Sequence, residues 1–248
     1  MYANVGVVSD ASAASAPTKP LLRGVSHEVA FYVSLAGTAL LAHTATGAHD
    51  AAARHRALFA ALVYGASLAA QLGVSALYHR VTWSAAARAR MRRLDHAAIF
   101  VLIAGSYTPL FTLVPDARGD ATHAATIVWL GAALGVVKSL VWPHAPKWLT
   151  ALVCVALGWA VIGQVVARAP AVGWTCVGLL VASGVVYSAG ASVYALKRPN
   201  PLPATFGYHE VFHALVVAAS ALVYAHVTLV VSAYLAVLQT VPSPAFVQ

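Results

Sequence analysis

The chain is written as long apolar runs divided by short polar ones. Asp, Glu, Lys and Arg are absent from 29–49, 57–79, 96–115, 121–137, 148–167, 169–196 and 211–248. A helix that crosses a bilayer needs about 20 mostly apolar residues, and each run reaches or nearly reaches that length. A backbone in lipid must satisfy its own hydrogen bonds, so runs this long are helices. Strands of a membrane barrel are shorter and alternate in polarity. The pattern predicts an all-α integral membrane protein, a seven-transmembrane-helix bundle. The last two runs exceed one crossing and must include loop or tail.

Composition narrows the class further. Of 248 residues, 60% are hydrophobic and 9% charged, where a soluble domain carries about 25% charged residues. So little charge excludes a disordered chain as well. Two cysteines, Cys154 and Cys176, cannot build a disulfide framework. The net charge is +8, and its placement matters more than its size. With the first helix entered from the cytoplasm, eleven of the fifteen Lys and Arg lie on inner segments. Only Arg54, Arg56, Arg118 and Arg168 lie on outer ones. The positive-inside rule then makes the N-terminus cytoplasmic and, after seven crossings, the C-terminus external. The expected location is the cell membrane, plasma or inner. The basic excess is a topology signal with no nucleic acid as partner, and the Arg88–Arg93 cluster suits anionic membrane lipids.

Residues 1–19 read as a disordered cytoplasmic tail, 20–240 as the membrane domain and 241–248 as a short external tail. Trp142, Trp148 and Trp174 fall where interface anchors are expected. Gly131, Gly135, Gly158, Gly178 and Gly184 suit close helix packing.

Polar groups are costly inside membrane helices, so those that remain point to function. Ser75 and His79 close the second helix, Asp95 and His96 open the third, and His209 and His213 open the seventh. His27 and Glu28 open the first. All fall in one layer at the cytoplasmic end, although the orientation came from Lys and Arg alone. His209 and His213 are four residues apart and share a helix face, as do Ser75 and His79. Two His on one face and a third from a neighbouring helix compose a zinc site with a fourth position open to water. Such a metal brings the pKa of its water to about 7. Asp95 is then placed as general base and Ser75 as a hydrogen-bonding group for a substrate oxygen. His43, His49, His55, His123 and His144 read as loop or outer-layer residues, and His226 as undecided. His209-Glu210-Val211-Phe212-His213 also spells H-E-x-x-H, in which a Glu serves a metalloprotease as base.

The surroundings of that motif resemble something else. Ser75-Ala76-Leu77-Tyr78-His79 resembles the S-x-L-Y-H motif of the hemolysin III family. Asp95-His96 with Ile99, followed by Ile103-Ala104-Gly105-Ser106-Tyr107-Thr108-Pro109, is similar to its D-H-x-x-I and I-A-G-S/T-Y-T-P pattern. His209 and His213 match its H-x-x-x-H, and Arg23-Gly24-Val25-Ser26-His27 its N-terminal segment. The likeness spans about 20–237 in the right order. That family is related to the adiponectin and progestin receptors and resembles the alkaline ceramidases. The resemblance implies a seven-helix bundle with zinc near the cytoplasmic face, held by His79, His209 and His213. It places Asp95 and Ser75 beside the metal-bound water and leaves H-E-x-x-H a coincidence. Two departures stand out. Lys19 and Arg23 occupy the place of a Glu and an Asn, and Val223 the place of a further His, with His226 three residues later.

The expected activity is zinc-dependent hydrolysis of an amide in a lipid. Three other readings compete: a pore-forming hemolysin, a receptor-like signalling protein, and an intramembrane protease using Glu210.

Overall fold

The computed structural model describes residues 19–114 and 121–240, with side chains from 123 onward in the second stretch. The tails expected at 1–19 and 241–248 therefore lie, Lys19 excepted, outside the described residues. The helices are α1 Val25–Ala45, α2 Ala51–Arg80, α3 Ala85–Leu113, α4 Ala121–Val141, α5 Lys147–Trp159, α6 Ile162–Val166, α7 Ala169–Val172, α8 Trp174–Leu196 and α9 Tyr208–Thr240. Among the described residues seven spans are long and apolar enough to cross a membrane, α5 and α6 together making the fifth. Consecutive spans pack side by side, and α9 returns against α1, α2, α3 and α8.

α2, α3 and α4 are longer than their charge-free stretches. Such a stretch marks the interval that suits lipid, whereas helix ends are set by caps. α2 starts at Asp50, whose carboxylate accepts from the Ala53 N–H at 2.7 Å. α3 starts eleven residues before its apolar run (Ala85 against 96), capped by Ser84, and carries Arg88–Arg93 and Asp95 on helical backbone. The seventh run begins earlier for a similar reason, at Tyr208, and ends at Thr240.

The outward faces are apolar: Leu134 is 71% exposed and Leu130 61%, on a surface that water would not tolerate. Trp142, Trp148 and Trp174 are also exposed. Inside, small residues set the spacing. A Cβ on Gly135 would lie 2.2 Å from the Phe100 ring, and one on Gly131 2.4 Å from Leu157. Gly184 lies against Trp159, but a Cβ on Gly158 or Gly178 would meet nothing within 4 Å. Those two glycines are not at close contacts, contrary to the reading from sequence.

The Gly105–Pro109 segment joins three spans. Gly105 lets Ser67 of α2 come close. The Tyr107 hydroxyl donates to the Gly158 carbonyl, where the fifth span breaks, and Trp129 of α4 donates to Thr108 Oγ1 at 3.2 Å. At the other end of the bundle Arg168 is 1% exposed. Charge counting had assigned it to an outer segment. It donates to the Val114 carbonyl at 2.9 Å and the Gln164 carbonyl at 2.7 Å, and its guanidinium lies 4.8 Å from the Phe111 ring centre. Carbonyls at helix ends lack intrahelical donors, and this cation supplies them.

Candidate metal centre

The N-terminal segment shapes one end of the bundle. Leu21 and Leu22 donate through their backbone N–H groups to Ala204 and Thr205, between α8 and α9. Gly24 then turns into α1 with φ 81°. An added Cβ there would sit 2.7 Å from the His79 Cβ, so glycine serves both the backbone angle and the close approach.

Glu210 fastens this segment. One of its carboxylate oxygens takes the Arg23 guanidinium, and the other accepts from the Gly207 N–H at 2.8 Å. The second bond is half of a capping box, in which the third helical residue reaches back to the cap. Both oxygens are thus committed away from the histidines. Arg80 and Glu28 form a second pair at 2.8 Å, more exposed.

Beneath that segment the histidines converge. His79 from α2 and His209 and His213 from α9 are buried and offer three ring nitrogens within 4.8 Å of one another. His209 Nε2 and His79 Nε2 are 3.1 Å apart. Two nitrogens on one tetrahedral zinc, at 2.0–2.1 Å each, would stand roughly 3.4 Å apart. His213 Nδ1 is buried without a hydrogen-bond partner. Imidazoles with a close nitrogen pair and an unsatisfied neighbour fit a metal ion, and the group can hold one.

Asp95 and Ser75 stand beside this group, not in it. Ser75, 2% exposed and one turn before His79, lies close to the Asp95 carboxylate of α3. Asp95 is partly buried, with Tyr194 of α8 in its field. His43, His49, His55, His123 and His144 are exposed and away from the cluster.

Sequence reasoning put His27 in the polar layer but gave it no part in the site. His27 is 1% exposed and stacks on His213, ring centres 3.8 Å apart and 7° from parallel. Neither of its ring nitrogens finds a partner at ordinary hydrogen-bond geometry, though the His213 backbone comes near. A parallel stack keeps its nitrogens out of the His213 plane, so it braces that ring. Its place at the start of α1, in the common polar layer, was the available signal.

A cavity of about 490 Å³ opens beside the histidines, within the range of small-molecule sites. His79 and His209 line it, with Arg88, Arg92 and Lys147 at the same end and Leu180, Trp159 and Val223 deeper. His226 is not part of the lining. It is fully buried, with Nδ1 2.9 Å from the Cys176 carbonyl and 3.3 Å from Cys176 Sγ. The sequence left its role undecided; the contact with Cys176 ties it to α8.

Similarity to known proteins agrees with the fold. A protein named Hemolysin-3 homolog, from Bacillus subtilis (strain 168), is 29% identical over 162 residues, 65% of this chain and 72% of that one. Hemolysin-3 from Bacillus cereus is 27% identical over 168 residues, 68% of this chain and 73% of that one. Residues 15–224 match the family described as Haemolysin-III related, so this multi-pass membrane protein belongs to the hemolysin III family.

Proposed function

We propose that the chain is a zinc-dependent hydrolase of lipid amides, ceramidase-like in chemistry, with its histidine end on the cytoplasmic side of the cell membrane. The observation that carries this is the buried trio His79, His209 and His213, with donor atoms within 4.8 Å. These residues would hold the ion. Zinc bound there supplies a Lewis acid for the amide carbonyl and a water acidic enough to attack near neutral pH.

The chain's own groups do the rest. Asp95 takes a proton from the attacking water at its carboxylate and returns it to the departing nitrogen. Ser75 orients that carboxylate through its hydroxyl. The apolar depth of the cavity holds the acyl part and keeps bulk water away. A second, shallower groove between α5 and α8 shares Ala151, Val155, Ser188 and Ala191 with the cavity wall. The wall there is thin and made of small residues, which supports entry of a lipid from the side.

Metal analysis of detergent-purified protein tests the reading. The expected content is about one zinc per chain, lost in His79→Ala and His213→Ala and kept in His123→Ala. A folded wild type that takes up no zinc when offered it would refute the hydrolase. The names of the Bacillus relatives favour a second reading, membrane damage. Dye release from liposomes that persists in His79→Ala and His213→Ala would support that reading instead.

A further inference from the structure

The cavity has two chemically different parts. α3 faces it with Arg88, Arg92, His96, Ile99, Ile103 and Tyr107, one continuous helical stripe that starts basic and turns apolar. Arg90 and Arg93, in the same cluster, are not in the lining. A topology signal needs positive charge near the membrane surface but has no preference for a helix face. The phase of Arg88 and Arg92 therefore calls for another reason.

Aromatic rings and one hydroxyl hold the mouth cations in place. The Arg88 guanidinium lies 5.4 Å from the Tyr78 ring centre. Lys147 Nζ is 4.6 Å from the Tyr194 ring and 5.1 Å from the Tyr208 ring, and donates to the Tyr208 hydroxyl at 3.0 Å. Among the described residues the ion pairs are Arg23–Glu210 and Arg80–Glu28, so Arg88, Arg92 and Lys147 have no carboxylate partner within ion-pair distance. No Asp or Glu is in the lining. Lys19, close by, has its ammonium pKa lowered by partial desolvation and then by Arg80, Arg88 and Arg23. At this end Glu210 and Glu28 are paired and Asp95, beside the histidines, is the one further carboxylate among the described residues, so positive charge is in excess.

Below the mouth the order along α9 is Tyr208, His209, Phe212, Val216 and Val223. Fifteen residues of helix, from Tyr208 to Val223, give a depth of roughly 22 Å at 1.5 Å per residue. One leaflet of hydrocarbon is about 15 Å thick, so the shaft takes one extended acyl chain. The histidines lie between the basic mouth and the apolar shaft.

We propose that the substrates are single-chain acyl amides whose amine portion carries an anionic group, carboxylate or phosphate, as in an N-acyl amino acid. This rests on the hydrolase reading above and specifies what it cleaves. The acyl chain fills the shaft, the amide lies at the level of the histidines, and the anion meets Arg88, Arg92 and Lys147. In the reaction a water oxygen bonds to the acyl carbon and the C–N bond breaks. The nitrogen takes both protons of the water and leaves as the ammonium, and the acyl part leaves as a carboxylate.

The test uses zinc-loaded protein in neutral detergent and three lipids with one chain and one amide. N-palmitoylglycine and N-palmitoyl phosphoethanolamine are anionic, and N-palmitoylethanolamine is neutral. Binding is read by displacement of a fluorescent fatty-acid analogue, and cleavage by release of the amine. The expected result is that at least one anionic lipid binds roughly tenfold or more tightly than the neutral one, the worth of a charge-assisted hydrogen bond. Arg88→Gln with Arg92→Gln should erase that preference, and Arg90→Gln with Arg93→Gln should keep it. Equal binding of all three lipids by the wild type would overturn the proposal without recourse to any variant. So would an equal loss in both variant pairs. Anionic preference without cleavage would sustain this specificity and refute the hydrolase; cleavage of the neutral lipid with no preference would do the reverse.

Discussion

Glu210→Gln separates the roles offered by the H-E-x-x-H spelling. In a metalloprotease this Glu is the base, and its amide abolishes activity at intact metal content. In the structure the carboxylate, 2% exposed, binds Arg23, whose side chain is 22% exposed, and caps Gly207. The amide keeps the size and one acceptor but loses the charge. A hydrogen bond to a charged group is worth about 1.5–3 kcal/mol net and a neutral one about 0.5–1.5, so the loss is roughly 1–1.5 kcal/mol. At about 2–4 °C per kcal/mol for a chain of this size, Tm should fall by roughly 2–6 °C. Glu210→Ala also leaves the Gly207 N–H unpaired and should cost about 2–4 kcal/mol, below the fully buried range because Arg23 reaches solvent. The assay is thermal unfolding in detergent of the wild type, Glu210→Gln, Arg23→Gln and the double variant, with zinc measured on each. A coupling of about 1–2 kcal/mol between the two sites is expected, with zinc retained and most of the hydrolysis with it. A coupling below roughly 0.5 kcal/mol would refute the structural role. Loss of all activity at full zinc and unchanged Tm would restore the protease reading.

Substitutions at three further positions probe the frame around the site. Gly24→Ala puts a side chain at φ 81° and a Cβ 2.7 Å from that of His79; beyond the roughly 1–2 kcal/mol cost of the backbone angle, zinc affinity measured by chelator competition should fall, and an unchanged affinity would show that the close approach does not position His79. His27→Ala should weaken zinc binding by about 10–100-fold, as loss of a ligand's support does, while His27→Phe, which keeps a stacking ring, should retain most of it. Arg168→Met removes both carbonyl bonds at the far end and should cost about 2–4 kcal/mol in thermal unfolding, with zinc content unchanged.

The helical periods of the chain make much of this legible in the sequence. Four-residue spacing put His209 and His213 on one face, and the alternation of charged and apolar segments brought His79 and Asp95 to the same level. Those inferences need only a regular helix and a membrane of fixed thickness. What failed needed partners from elsewhere in the chain. Arg168 counted only as outer-segment charge, because counting charges cannot register the carbonyls of Val114 and Gln164 that hold it. Gly158 looked like a packing glycine, whereas its carbonyl takes the Tyr107 hydroxyl where the fifth span breaks.

His27 shows where this limit falls. A single histidine at the start of α1 has no periodic companion, so spacing cannot select it. Its stack on His213 exists because Gly24 lets the segment lie against His79 and because Glu210 holds Arg23. Glu210 is itself between the two α9 histidines, so the residue that imitates a protease base is the one that docks the brace. The same five-residue stretch thus carries two site histidines and the anchor for a third. For that reason removing the Glu210 anchor should loosen the N-terminal segment and the His27 stack together, and Glu210→Ala should lose zinc affinity where Glu210→Gln does not. Equal affinities in the two variants would mean that His27 holds its place without the anchor.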